Sequence, residues 1–265
     1  MEPTTSYLWR IAGEALALLF RAAPGYEARL TQQASLALSG EPVADLNGAI
    51  LDEGPQAEER LREFGQVIQA RNLPILLLLT EGVSNQLAPV ARELGLQYAG
   101  QIPLMTYRPS DGRAEARTYQ VERVENEQNL QAASRIIASA FGFPLESVNR
   151  VNGPMLLDGP GVDIFLARQN GNPVSAVAST RAGSTVGIWG MGTSPEFQRK
   201  GAGRALLDYV IAYHYEHGIK LFYLIATEAG KPLYERIGFR TIAEAAAWVA
   251  GHSTQVGQAV PDTII

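Results

Sequence analysis

The chain contains no cysteine, and that absence removes disulfide cross-links, a thiolate nucleophile and zinc–thiolate ligation together. Histidine is scarce as well, with three in 265 residues. Two of them, His214 and His217, share one helical stretch without a third ligand, so they read as helix histidines and no metal is expected. No block of lysine or arginine occurs, and the formal net charge is −5. A nucleic-acid partner, whose phosphates need a basic face, is therefore not expected. The apolar run Ile75–Leu79 is far shorter than the roughly 20 residues of a membrane span. At the N-terminus, "LWRIAGEALALLFRAA" carries Arg10 and Glu14 inside its apolar pattern, as an amphipathic helix would and a signal peptide would not. A soluble cytoplasmic protein without a membrane partner is the expectation. G-x-S-x-G and G-K-[ST] are missing too, which removes the serine-hydrolase elbow and the commonest nucleotide loop.

What is present is an ordinary globular composition, 46% hydrophobic and 18% charged, long enough for one large domain or two small ones. The segment "RPSDGRAEAR", Arg108 to Arg117, mixes Pro, Gly and charge without apolar periodicity and reads as a linker. It divides the chain into residues 1–108 and 117–265. The two sides repeat a pattern. A buried-type strand (Ile75–Leu79; Leu221–Ala226) ends in Thr-Glu-Gly or Thr-Glu-Ala, a short helix follows and stops at Gly95 or Gly238, and another strand begins. Unbroken apolar strands need both faces covered and a glycine ends a helix in the left-handed conformation, so the repeat has structural content and an α/β fold is expected.

In the second half, "VENEQNLQAASRIIASAF" has apolar residues at helical spacing. "DIFLAR", "VSAVASTRA" and "TVGIWGMGT" then read as three antiparallel strands, the first two joined by an Asn-Gly turn. After them comes "SPEFQRKGAGRALLDYVIAYHYEHG". The order strand, glycine loop, helix gathers free backbone N–H groups and the positive end of a helix dipole, which makes an anion site.

The form Gln198-Arg199-Lys200-Gly201-Ala202-Gly203, following "MGTSPEF" and followed about thirty residues on by "PLYERIGFR", resembles the GCN5-related N-acetyltransferase family over roughly Arg117 to Ala250. The resemblance implies a mixed sheet splayed open after its fourth strand, with acetyl-coenzyme A as co-substrate in the wedge. It implies that the pyrophosphate takes backbone N–H groups from Arg199 to Arg204, and that the pantetheine arm pairs with Met191, Gly192 and Thr193. Gln198 belongs to the same loop. Tyr234 stands where many members keep a tyrosine beside the thioester sulfur, the place of a general acid for the departing thiolate. Thr227 stands where an asparagine is common, as a contact to cofactor or water. Many members carry a glutamate on the fourth strand, and "TVGIWGMGT" has no acid. Glu228 and Glu146 are the candidate bases beside a water relay. Direct attack of an amine in a ternary complex is the implied reaction, since no cysteine exists to carry the acetyl group.

The first half, residues 1–108, is expected to be a degenerate copy of the same GNAT-like fold, and its corresponding loop reads "DEGPQAEE". Asp52, Glu53, Glu58 and Glu59 would meet a pyrophosphate with like charge, so this half is expected not to hold coenzyme A. It is expected to complete the fold, to form a wall of the acceptor cleft, or to mediate pairing into a homodimer. The acceptor, a small-molecule or protein amine, is sought around "FGFPLESVNRVNGPMLLDGPG" and in the tail "GHSTQVGQAVPDTII"; Glu146, Asp158 and Asp163 hint at a cationic amine. Two other readings stand beside the N-acetyltransferase: a non-catalytic acyl-CoA-binding regulatory module, and transfer of a longer acyl group.

Overall fold

The computed structural model describes residues 3–110 and 119–250. Most of the linker segment and the whole C-terminal tail named above lie outside them. Eleven strands form one mixed sheet, and the chain builds it in two passes.

The first pass opens with α1 (Thr5–Phe20), whose Thr4 side chain accepts from the Tyr7 N–H and caps the helix. Leu8, Ile11, Ala12, Ala15, Leu16 and Leu19 recur at three- and four-residue spacing and are all buried. There follow β1 (Glu27–Leu30), β2 (Ala34–Leu38), β3 (Asn47–Leu51), α2 (Ala57–Arg71), β4 (Ile75–Thr80), α3 (Glu81–Glu93) and β5 (Gln97–Tyr107). The second pass comprises β6 (Gln120–Arg123), α4 (Glu127–Phe141), α5 (Leu145–Val151), α6 (Met155–Asp158), β7 (Val162–Gln169), β8 (Asn172–Ala182), β9 (Thr185–Thr193), α7 (Ala202–Glu216), β10 (Leu221–Ile225), α8 (Lys231–Ile237) and β11 (Arg240–Ala250). The three strands of the meander form in the expected order and pair antiparallel. Gly95 and Gly238 both take positive φ, +81° and +115°, at the ends of α3 and α8.

Sheet order is β1-β2-β3-β4-β11-β5-β10-β9-β8-β7-β6, so the last strands of the two passes are exchanged. β11 pairs antiparallel with β4, β5 pairs antiparallel with β10, and β5 and β11 pair with each other at the centre. Along their length β5 and β11 follow almost the same burial pattern, largely exposed over the first residues and buried over Ile102–Met105 and Ala245–Trp248. Each pass also contains one parallel pair, β3 with β4 and β9 with β10.

One face of the sheet is covered by α1 and α4 in a shared apolar cluster. The other face carries α2 and α3 over the first pass and α7 over the second. α1 touches β2, β3 and β8, although β2 and β8 are far apart in the strand order. The accumulated twist of a long sheet brings its two wings around that helix. Apolar burial, worth about 25 cal/mol per Å² removed from water, therefore couples the two passes through α1 as well as through the exchanged strands.

Candidate active site

β9 and β10 pair in parallel from Thr185 opposite Leu221 only as far as Gly187 opposite Tyr223. β9 continues for six residues to Thr193, bonded to β8 on its other side. Among the described residues it has no partner on its β10 side beyond Gly187, so a wedge opens there. A register shift against β8 between Ala176 and Ala178, together with φ of +54° at Gly190, turns the strand at the mouth of the wedge.

The far end of β9 meets the start of α7. Gly201 caps α7 with φ of +89°, no side chain caps the helix, and a methyl group placed on Gly201 would meet nothing within 4 Å. The first bond of the turn runs from the Ala205 N–H to the Gly201 carbonyl at 3.0 Å, so the N–H groups of Ala202, Gly203 and Arg204 precede the helix's own hydrogen bonding. Arg199 is also left-handed, at φ of +58°. The two glycines differ in task. A methyl on Gly203 would lie 3.0 Å from Met191 Cε and 3.2 Å from Thr193 Oγ1, so Gly203 lets α7 approach β9. The Tyr119 hydroxyl donates to the Lys200 carbonyl at 2.7 Å and pins the loop from β6's side.

The loop cations are partly engaged. Arg204 Nε is 3.0 Å from Asp208 Oδ2, Lys200 Nζ lies 5.6 Å from the Phe197 ring centre, and Arg199 is exposed. Gln198 donates to the Thr193 carbonyl at 3.3 Å, and Thr193 Oγ1 meets Ser175 Oγ at 2.9 Å. Ser175 also donates to the Gly192 carbonyl at 2.7 Å, on the β8 side of β9.

α8 closes this end. Thr227 Oγ1 accepts from the Gly230 N–H at 2.9 Å, and its carbonyl accepts from Lys231 at 3.0 Å, so Thr227 shapes the start of α8. Tyr234 lies one turn on, half-buried, its ring 5.8 Å from Phe239. A methyl on Gly230 would come within 3.0 Å of the Tyr234 ring and 3.1 Å of Thr227 Oγ1. Desolvation pushes the Tyr234 phenol up to about 12, so it is a protonated donor throughout the neutral range.

The carboxylates raised from sequence are scattered. Glu228 and Asp158 are exposed, Glu146 is exposed beside Arg150 at 3.9 Å, and Asp163 pairs with Arg123 at 3.1 Å. His214 Nε2 meets Ser179 Oγ at 2.9 Å inside an aromatic cluster, while His217 Nδ1 meets the Tyr213 carbonyl at 2.7 Å; the two rings serve separate partners.

Sequence reasoning missed a cleft of about 80 Å³ on the α1/α4 face of the sheet, which reaches Trp189 and Gly190 at the wedge. Leu19, Phe20 and Leu46 of the first pass form part of its wall. The apolar stripe of α1 was visible, but nothing local says that its last turn faces β9.

Residues 160–241 match the family model described as acetyltransferase (GNAT) domain. This interval runs from β7 to the start of β11, and it contains the wedge, the glycine loop and Tyr234. The whole architecture recurs in solved structures. A GCN5-related N-acetyltransferase from Kribbella flavida aligns with a TM-score of 0.68 at 22% identity, over 94% of this chain and 98% of that one. A GCN5-related N-acetyltransferase from Sphaerobacter thermophilus aligns with a TM-score of 0.57 at 16% identity, over 84% and 81% of the two chains. A GCN5-related N-acetyltransferase-like protein from Streptococcus suis aligns with a TM-score of 0.56 at 14% identity, over 92% and 99%. No curated protein matches the chain. Residues 160–241 thus resemble a GNAT acetyltransferase domain, within a mixed α/β fold that these solved structures share. Among the described residues no helix is long and apolar enough to cross a membrane.

Proposed function

We propose that this protein is an acetyl-CoA-dependent N-acetyltransferase with one cofactor site, in the second pass, acting by direct attack of an amine in a ternary complex. The observation that carries the reading is the end of parallel pairing at Gly187 and Tyr223, which leaves an open strand edge beside an uncapped helix N-terminus. An extended pantetheine arm fits such an edge as a further strand does, by main-chain hydrogen bonds. The N–H groups of Ala202, Gly203 and Arg204 suit a pyrophosphate, with Arg199, Lys200 and Arg204 offsetting its charge. Bound acetyl-CoA supplies an activated acyl thioester.

The chain's own residues then have defined tasks. Gly201 keeps side chains away from the phosphates, Tyr119 holds the Lys200 carbonyl and with it the loop, and Tyr234 gives its proton to the departing thiolate. β9 offers no carboxylate for the incoming amine's proton, which leaves water or the amine's own loss of a proton on entering an apolar site.

The first pass we read as a copy of the same fold without a cofactor loop. Support comes from the shared order parallel strand, helix, strand, helix, exchanged strand, and from the matching burial of β5 and β11.

Thiol release from acetyl-CoA across a panel of amines tests the function: amine-dependent release that vanishes in Gly201→Glu is the expected result. The acid-free β9 favours one other reading, a non-catalytic acyl-CoA-binding module. Tight binding of coenzyme A with no amine-dependent release would establish that module instead.

A further inference from the structure

The cleft on the α1/α4 face is built from both passes and from almost nothing polar. Phe20 and Leu46 come from the first pass, Ile137, Phe141 and Val148 from α4 and α5, and Trp189 forms the floor. Among the described residues no charged side chain lines it. The one lining amide, Asn152, already donates to Ser134 Oγ at 3.1 Å, and the indole N–H of Trp189 is spent on Thr180 Oγ1 at 2.7 Å. What a ligand meets is hydrocarbon, an aromatic face, the backbone at Gly190 and the remaining amide atoms of Asn152. Its volume is about 80 Å³, several times what one water needs, which suits a small apolar group.

The position of the cleft matters as much as its lining. Trp189 and Gly190 belong to the part of β9 that β10 leaves unpaired. The glycine loop and α7 lie on the opposite face of the sheet, so the wedge is where the two faces communicate. A nucleophile in the cleft approaches the wedge from the side away from the loop.

We propose that this cleft holds the acceptor, and that the acceptor is a monoamine on a hydrophobic body, aromatic or branched aliphatic, received in its uncharged form. The inference rests on the acyl-transfer reading above and names its substrate class. A polyamine, an amino sugar or a lysine side chain on a peptide would give up hydration with little in these walls to replace it. An apolar surrounding disfavours the ammonium form of an amine, so uptake itself supplies the neutral nucleophile that β9, lacking a carboxylate, does not generate. Glu41, on the loop before β3, grips Arg150 of α5 through two bonds of 2.6 and 2.7 Å and so fixes the wall formed by Val148 against the first pass.

The test uses the full chain and acetyl-CoA, with thiol release followed for n-alkylamines and arylalkylamines of increasing size, an aromatic amine, spermidine, glucosamine and a lysine-containing peptide. The expected result is that kcat/KM rises about fourfold for each added methylene until the cleft is full, with the polar amines far below the series. Phe141→Gln, at a half-buried position on α4, should raise KM for the hydrophobic amines and leave coenzyme A affinity unchanged. Equal or better turnover of spermidine, glucosamine or the peptide would overturn the proposal. So would a preference for octanoyl-CoA over acetyl-CoA with a hydrophilic amine, because the cleft would then hold the acyl chain. Calorimetric binding of the hydrophobic amines without cofactor separates the two levels. Amine binding lost in Phe141→Gln, in a protein that does not bind coenzyme A, sinks the transferase reading and keeps the cleft's ligand class. Coenzyme A binding with turnover of polar amines only does the reverse.

Discussion

The Thr80 hydroxyl donates to Asp52 Oδ1 at 2.7 Å, joining the ends of the parallel strands β3 and β4. In the first pass those strands pair to the last residue of β3, Leu51 opposite Leu79, and the hydrogen bond extends the closure one step beyond the ladder. The same Thr-Glu step follows β10, but there the Thr227 hydroxyl turns to the Gly230 N–H and β9 stands open from Ile188 onward. Glu58 and Glu59 occupy the first turn of α2, where α7 has none of either acid. One pass is zipped and acidic; the other is splayed and basic. The account of a single cofactor site rests on that contrast.

Gly201→Glu is expected to abolish coenzyme A binding. Two effects combine: a side chain enters the open space before α7, and φ of +89° strains any L-residue by roughly 1–2 kcal/mol. Gly201→Asn separates them, since asparagine tolerates the left-handed region and brings no charge. Calorimetry should show weakened binding in Gly201→Asn and none in Gly201→Glu, with Gly201→Glu melting a few degrees below the parent protein and Gly201→Asn closer to it.

Tyr234→Phe keeps the ring against Phe239 and removes only the hydroxyl. If protonation of the leaving thiolate limits turnover, kcat should fall by about 10²- to 10⁴-fold with coenzyme A affinity nearly unchanged. Steady-state kinetics and titration of both proteins provide the check; equal kcat values would reduce Tyr234 to a packing residue.

Arg150→Ala is expected to destabilise the protein, because the Glu41 carboxylate, which is 7% exposed, loses both of its hydrogen bonds to the guanidinium. The Arg150 hydrogen bonds hold the Glu41 carboxyl below the usual carboxylate range, against the opposing effect of burial. This contribution is complete above the ordinary carboxylate pKa and is lost as pH falls through the lowered folded value. Urea midpoints of the two proteins should therefore converge in acid.

His214 gives a second, separable pH dependence. Burial lowers its pKa from 6.5 to about 4, with Asp163 opposing and His217 and Arg181 reinforcing the shift. The unfolded chain takes up the proton first as pH falls, so stability should decline between about pH 6.5 and 4, by up to roughly 3 kcal/mol. His214→Phe should flatten that interval in urea titrations. Ser179 then keeps the Asp163 carbonyl, 3.3 Å away, as its acceptor.

Much of this molecule was legible locally. The meander, α4, α7 and the glycine terminations at Gly95 and Gly238 follow from period, turn residues and caps, which are properties of short segments. The loop's place was legible for the same reason, since the order strand, glycine loop, helix can be read from neighbouring residues. The division of labour between Gly201 and Gly203 was not, because it depends on how closely β9 approaches. Thr227 matched a family position, yet its bond to Gly230 depends on the turn into α8. The exchange of β5 and β11 was equally silent: Ala245 opposite Ile102 is a pairing across more than half the chain, and alternation along one strand does not name its neighbour. The cleft is illegible for a related reason, since Phe20 and Trp189 meet only after the sheet has curled.

The stoichiometry of coenzyme A binding tests the central claim most directly. Isothermal titration of the full chain should return one site per chain, lost in Gly201→Glu and unaffected by Asp52→Ala, which opens the zipped end of β3 and β4. Two equivalent sites, or one site that survives Gly201→Glu, would contradict the account.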